Sequence, residues 1–274
     1  MTDMRLSGPF TNRSRGRMIV LEGLEGAGKT TQMAAIAGYL RSAGIDVLET
    51  REPGGTTLGE RIRDLLLATP RPLNPSRSSD WRDERDPETM AAMHADTELL
   101  LMFAARAEHW HRVIAPALDR GSWVVSDRFV DASYAYQGGG RELGAERVAA
   151  LETWLLGEMR PDLVLWFDVP PEVGLARVRQ RAITAIDGNA SPDRFEREAV
   201  AFFERARAAY ARRAAAAPER YRRIDAAASI DDMRAAVQAV IAREIEPMIE
   251  SGNEYEIKLK IEDRQSPDDS PRCA

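Results

Sequence analysis

Gly23-Leu24-Glu25-Gly26-Ala27-Gly28-Lys29-Thr30 fits the pattern G-x-x-x-x-G-K-[ST], a glycine loop whose backbone N–H groups cradle phosphate oxygens at the start of a helix. Of the 38 Lys and Arg residues in the 274-residue chain, lysine occupies only positions 29, 258 and 260. A chain that otherwise relies on arginine keeps a lysine where a compact ammonium must reach between phosphates and a planar guanidinium would not fit. Lys29 is thus read as the bridge between transferring phosphates, and Thr30 as a hydroxyl ligand for Mg²⁺. Short glycine motifs recur by chance, so the flanks matter. Met18-Ile19-Val20-Leu21 reads as a buried strand and Thr31-Gln32-Met33-Ala34-Ala35-Ile36 as the opening of a helix, the setting this motif needs.

A second signal is Trp123-Val124-Val125-Ser126-Asp127-Arg128-Phe129, a hydrophobic strand ending in Asp. It places Asp127 near the metal and Arg128 at the carboxyl end of a strand, where ligands bind in sheets of this kind. The competing reading is a structural ion pair. Asp168, after Leu163-Val164-Leu165-Trp166-Phe167, is a further carboxylate, suited to orienting loops rather than a metal. Arginines cluster at 177, 179, 181, 194 and 197, and Arg177 and Arg181 share one helix face. Each alone reads as a solvated helix residue. Together with the Gly- and Asp-containing stretch 183–193, they read as a lid that brings an arginine to developing charge. His94, His109 and His111 lack metal-ligand spacing and are read as structural.

These residues need a scaffold. Apolar runs at 18–22, 46–50, 122–126, 163–168 and 221–225 predict strands. Helical stretches at 29–43, 57–68, 90–118, 144–158, 171–182, 195–216 and 230–245 alternate with them. The pattern predicts an α/β domain, doubly wound, with a central parallel sheet and helices on both faces. Residues 1–17 read as a flexible leader without a secretion signal, and 18–247 as one domain. Residues 70–89, with four prolines and many charges, read as an inserted surface loop, and 177–197 as the lid region. In the polar tail 248–274, the alternation over 254–262 reads either as a solvated tail or as an added edge strand.

Hydrophobic residues make up 44% of the chain, enough for a sizeable core, and no apolar run reaches the roughly 18 residues of a membrane span. The single cysteine, Cys273, excludes an intrachain disulfide and a cysteine-based zinc cluster, and fits a reducing cytoplasm. A net charge of -6 argues against a nucleic-acid polymer as partner but not against a nucleotide.

Several stretches in order resemble the thymidylate kinases. They are Glu22 to Thr31, Arg51-Glu52-Pro53-Gly54-Gly55-Thr56, Leu101 to His109, Asp127-Arg128-Phe129 and Ala135 to Arg141, with weaker support from Asp193-Arg194-Phe195-Glu196. The resemblance implies a P-loop kinase fold, ATP- and Mg²⁺-dependent conversion of dTMP to dTDP, and a homodimer. Gly23, Glu25, Gly26, Ala27, Gly28, Lys29, Thr30 and Thr31 would bind ATP, with Thr30 and Asp127 at the metal. Glu25 would accept from the sugar 3′-OH, Arg106 would bond thymine and Phe103 would stack on it. Arg128 would hold the dTMP phosphate, Ser133 and Gln137 would read the base edge, and Tyr136 would crowd a ribose 2′-OH. Arg51 and Pro53 would shape the acceptor pocket, Pro53 with a cis peptide, and Arg181 would be the lid arginine. Many members carry the stacking aromatic where this chain has Met102, so Met102 and Phe103 compete for that place. The alternatives are a kinase for another nucleoside or nucleotide, a GTP-dependent switch and a scaffold. No Asn-Lys-x-Asp motif supports the switch, and intact Lys29, Thr30 and Asp127 speak against the scaffold.

Overall fold

The computed structural model describes residues 15–68, 93–184 and 193–251. The expected loop at 70–89, most of the 183–193 stretch and the expected strand at 254–262 lie outside them.

Five strands form one sheet: β1 Met18–Gly23, β2 Val47–Arg51, β3 Trp123–Asp127, β4 Leu163–Asp168 and β5 Tyr221–Asp225. The order is β2-β3-β1-β4-β5 and every pairing is parallel. Strands β1 and β4 are buried along their whole length, as continuous apolar runs covered on both faces must be. Because β1 lies between β3 and β4, the chain leaves it to opposite sides. The carboxyl ends of β1 and β3 thereby come together, with Leu21 in register with Asp127.

Around the sheet lie α1 Lys29–Ser42, α2 Thr57–Leu67, α3 Ala95–His109, α4 Ala115–Asp119, α5 Val130–Ser133, α6 Ala145–Leu156, α7 Pro171–Thr184, α8 Val200–Ala216 and α9 Ile230–Val240. A π-helical segment, Trp110–Ile114, joins α3 to α4, so the helix expected over 90–118 is one path with a widened turn. Its described part starts at Ala95, where His94 caps the helix. A second π-helical segment, Tyr134–Gly140, continues α5. Sequence reading assigned no helix over this second segment, because the Gly138-Gly139-Gly140 run reads as a helix breaker. Here Gly140 packs so closely on the Phe202 ring that any Cβ would collide with it.

Helix α8 begins at Val200 rather than 195. Ahead of it Asp193 and Glu196 cap each other: the Asp193 N–H donates to Glu196 Oε2 (3.1 Å) and the Glu196 N–H to Asp193 Oδ1 (2.9 Å). At the carboxyl end helical backbone runs on to Ser251, with Met248 and Ile249 packed on the core. At the amino end Gly16 N donates to Leu118 O (2.9 Å) and Arg17 pairs with Asp162 (3.2 Å), so these residues of the expected leader are tied to the domain. No described helix is long and apolar enough to cross a membrane.

Candidate active site

The loop after β1 turns into α1 through Gly26 (φ 73°) and Gly28 (φ 82°), both left-handed and so suited to glycine. Lys29 folds back beneath the loop, its Nζ donating to the carbonyls of Gly23 and Leu24 at 3.1 Å each. Asp127 Oδ1 stands 3.9 Å from that ammonium. Burial, followed by the nearby Arg128 charge, lowers the Lys29 pKa to about 8. Asp127 Oδ1 is buried and accepts no hydrogen bond within the described structure. An orphaned carboxylate oxygen beside the phosphate loop is a fit place for a hard cation.

Two clefts meet here. The donor-side cleft, about 870 Å³, is lined by Glu25 to Thr31, Arg51, Glu52, Arg63, Asp127, Arg128, Arg181, Asp193 and Glu196. The second, about 590 Å³, runs from Glu25 and Arg128 past Pro53, Arg63 and Tyr136 to Met102, Arg106, Ser133 and Gln137. Nearly all the residues expected at a nucleotide site thus line one cleft or the other. Two do not. Gly23 lies beneath, accepting from Lys29 and, at 2.7 Å, from Arg128 Nη1. Phe103 is buried in the core, its ring supporting the Arg106 guanidinium at 4.6 Å. Of the two residues that compete for the stacking place, Met102 lines the cleft and Phe103 does not. One helical residue, about 100°, separates the two.

Arg128 joins the clefts and has an unusual backbone. Its φ of 73° lies in the left-handed region, costly for a residue with a Cβ. Three bonds hold it there. Its N–H donates to Leu21 O (2.9 Å), its carbonyl accepts from Ser126 Oγ (2.7 Å), and the next N–H, of Phe129, donates to Glu22 Oε1 (2.8 Å). Tyr210 ties the two ends together, donating to Glu22 Oε2 (2.7 Å) while accepting from Arg128 Nη1 (3.1 Å). Glu22 is fully buried, and burial with the nearby Asp131 raises its pKa to about 8. Arg128 Nη2 donates to Glu25 Oε1 (2.8 Å) and to the Tyr136 hydroxyl (3.1 Å), which itself donates to Glu25 Oε2 (2.6 Å).

Deeper in the second cleft, Arg106 donates to Glu52 Oε2 (2.7 Å), Ser133 Oγ (3.0 Å) and Phe129 O (3.1 Å). The Glu52–Pro53 peptide is cis, as the resemblance implied. His109 is fully buried between Glu52 (3.1 Å) and Thr50 (2.6 Å), a structural role as expected. Arg51 pairs with Glu60 at 2.7 Å. Asp168 is held by Arg207 (2.6 Å) and Arg223 (2.6 Å), away from both clefts.

Among the clustered arginines, Arg181 reaches the donor side, while Arg177 donates to Ala226 O (2.6 Å) and Arg194 pairs with Glu98 (2.7 Å). Sequence reading missed Arg63, Glu52, Asp193 and Phe195 as lining residues. For Arg63 the signal was present: Arg63 and Leu67 are four apart on α2, beside the buried Ile62 and Leu66, and both line the second cleft.

The family model for thymidylate kinase matches residues 21–79 and 84–237. The chain belongs to the thymidylate kinase family. It is therefore a nucleoside monophosphate kinase. A thymidylate kinase of Alkalilimnicola ehrlichii is 52% identical over 229 residues, 84% of this chain and 94% of that protein. One from Pseudomonas entomophila is 51% identical over 226 residues, 82% of this chain and 95% of that protein. A solved thymidylate kinase structure from Ehrlichia chaffeensis superposes with a TM-score of 0.58 at 27% identity, covering 83% of this chain and 97% of the other.

Proposed function

We propose that the chain transfers the γ-phosphoryl group of ATP to dTMP, giving dTDP and ADP for dTTP synthesis. The observation that carries this reading is the junction of two clefts at Glu25 and Arg128, one built on the phosphate loop and the other ending in polar base-sized lining. The donor triphosphate lies on Gly26 to Thr31 with Lys29 against the transferring phosphates. The acceptor phosphate lies on Arg128 and its base on Met102, Arg106, Ser133 and Gln137, with Arg51 and Pro53 flanking. An acceptor oxygen that is already anionic needs no strong general base, so catalysis is alignment plus charge neutralisation by Lys29, Arg128 and Arg181. Thr30 and Asp127 would hold Mg²⁺, which neutralises phosphate charge when bound.

Arg128 Nη2 bonds both Glu25 and Tyr136. Glu25 thus stands beside the guanidinium that takes the acceptor phosphate, placed to accept from the sugar 3′-OH. The exposed Leu58 and Leu65 of α2 and Leu100 of α3 supply apolar surface for a second copy, giving the homodimer. A cytoplasmic location accords with one cysteine in the whole chain.

The test is an ADP-release assay with Mg-ATP and dTMP, dUMP, dCMP, dGMP, UMP or AMP. Selective turnover of dTMP is expected. Turnover spread over the other monophosphates would remove the base assignments, and ADP release independent of acceptor would remove the kinase reading.

A further inference from the structure

The clefts overlap at Glu25, Glu52, Arg63, Arg128 and Asp193. A monophosphate whose phosphate lies at that overlap must extend its base to the unshared end, against Met102, Arg106, Ser133 and Gln137. Behind this end stands Glu98 of α3, fully buried and lining neither cleft. Its Oε2 accepts from Arg141 Nε (3.0 Å) and is ion-paired with Arg194 Nη1 (2.7 Å). Its Oε1 accepts from Gln137 Nε2 (2.7 Å).

A primary amide has two unlike ends, and a small rotation exchanges them. Beside a neutral neighbour Gln137 would be free to present either to a ligand. A carboxylate has only lone pairs to offer, so it selects the NH₂ end, and the carbonyl oxygen is left for the base. Two guanidinium groups on the other oxygen keep Glu98 in this accepting role. The neighbouring Arg106 has only donors. The base end therefore sets a donor beside an acceptor.

The geometry points to Glu98 as a specificity-determining positioning residue: by fixing the polarity of the Gln137 amide, it admits pyrimidines with an N3–H beside a C4 carbonyl and excludes those with a bare N3 beside a C4 amino group. This rests on the nucleotide reading given above. Thymine and uracil carry the first edge and cytosine the second, with O4 an acceptor and N4 a donor. Cytosine would set donor against donor at Arg106 and acceptor against acceptor at Gln137. Sites built around buried hydrogen bonds reject such mismatches strongly.

The experiment compares kcat/KM for dTMP and dCMP in the unaltered protein, in Glu98→Gln, and in the exchange variant Glu98→Gln/Gln137→Glu. Glutamine at 98 can donate, which frees the Gln137 amide to turn. The dTMP-to-dCMP preference should fall by about tenfold or more. In the exchange variant a carboxylate again presents acceptors to the base and the network keeps its charge, so the preference should return to within about threefold of the starting value. A purely structural Glu98 would lower both substrates together and leave the ratio unchanged, and that result would overturn the proposal. So would a collapsed preference in a folded exchange variant.

A third readout needs no variant. In proton NMR of the unaltered protein with ¹⁵N-labelled dTMP, the N3 imino proton should be protected from solvent exchange. Exchange as fast as in free dTMP would also overturn the proposal. Absence of dTMP turnover by the unaltered protein is a different outcome, which sinks the functional reading itself.

Discussion

Lys29 is the residue where electrostatics and function pull in opposite directions. Its ammonium is buried and titrates near 8, against 10.5 for a free lysine. Between those values the unfolded chain binds the proton more tightly, so the contribution of Lys29 to stability rises with pH across that window. Catalysis needs the cation, so kcat/KM for ATP should fall as pH rises through about 8. Lys29→Ala should retain the fold, shown by circular dichroism, and lose turnover by at least about a thousandfold. Near-normal turnover would remove the phosphate role.

Glu22 has the opposite sign. Its pKa of about 8 lies above the ordinary 4.5, so the folded state binds its proton more tightly, and this contribution to stability declines as pH rises from 4.5 to 8. A plot of Tm against pH should be flatter over that range in Glu22→Gln. The same carboxyl helps hold the left-handed backbone of Arg128, and so does Ser126. Ser126→Ala should therefore raise KM for dTMP by about three- to tenfold, one lost hydrogen bond, with KM for ATP unchanged. A change confined to ATP would count against the clamp.

Motif chemistry made Lys29, Thr30, Asp127 and Arg128 legible in the chain because their spacing is local. Glu22 stood inside a quoted motif, yet its partners Phe129 and Tyr210 are 107 and 188 residues away. A bond between such distant positions leaves no trace in spacing. Met102 and Phe103 show a subtler limit. Both belong to one helix, and which of the two faces ligand depends on the rotation of α3 against its neighbours.

Among elements, the phosphate loop and α7 meet backbone to backbone. A Cβ on Gly26 would collide with the Gly174 carbonyl, and one on Gly174 would lie 2.5 Å from the Glu25 carbonyl. Arg177, one turn further along α7, donates to Ala226 O and to Gly26 O (3.4 Å). The helix that carries Arg181 is thereby seated directly on the loop that carries Lys29. Gly174→Ala should destabilise the protein by about 1–3 kcal/mol in chemical denaturation and reduce ATP-dependent rate more than dTMP affinity. The five strands were legible to within one residue because apolar runs bounded by turn residues are a strong local signal. The start of α8 was not, since the Asp193–Glu196 caps that delay it look like ordinary helix-favouring sequence.

At the scale of the whole molecule, α2 and α3 turn Leu58, Leu65 and Leu100 outward, each about half exposed or more. Leu58 and Leu65 are seven apart and share one face of α2. On the homodimer proposed above, the unaltered protein should elute at twice the chain mass and a Leu65→Arg/Leu100→Glu variant at the chain mass, measured by size exclusion with light scattering. An unchanged mass would place the dimer contact elsewhere. Parallel strand order and helices on both faces follow from the alternation of elements along the chain. The exposed leucines do not, because an apolar helix face reads the same against a core as against a second copy.

The near-absence of lysine has a practical corollary. Lys29 is the only lysine among the described residues, and its lowered pKa makes it a free amine in a substantial fraction of molecules near pH 8. A small anionic aldehyde followed by borohydride would thus leave one covalent adduct within the folded domain, at the base of the phosphate site. Peptide mass mapping of the Lys29 adduct, which separates it from adducts at the terminal amine, Lys258 and Lys260, would report occupancy of the donor cleft with and without ATP.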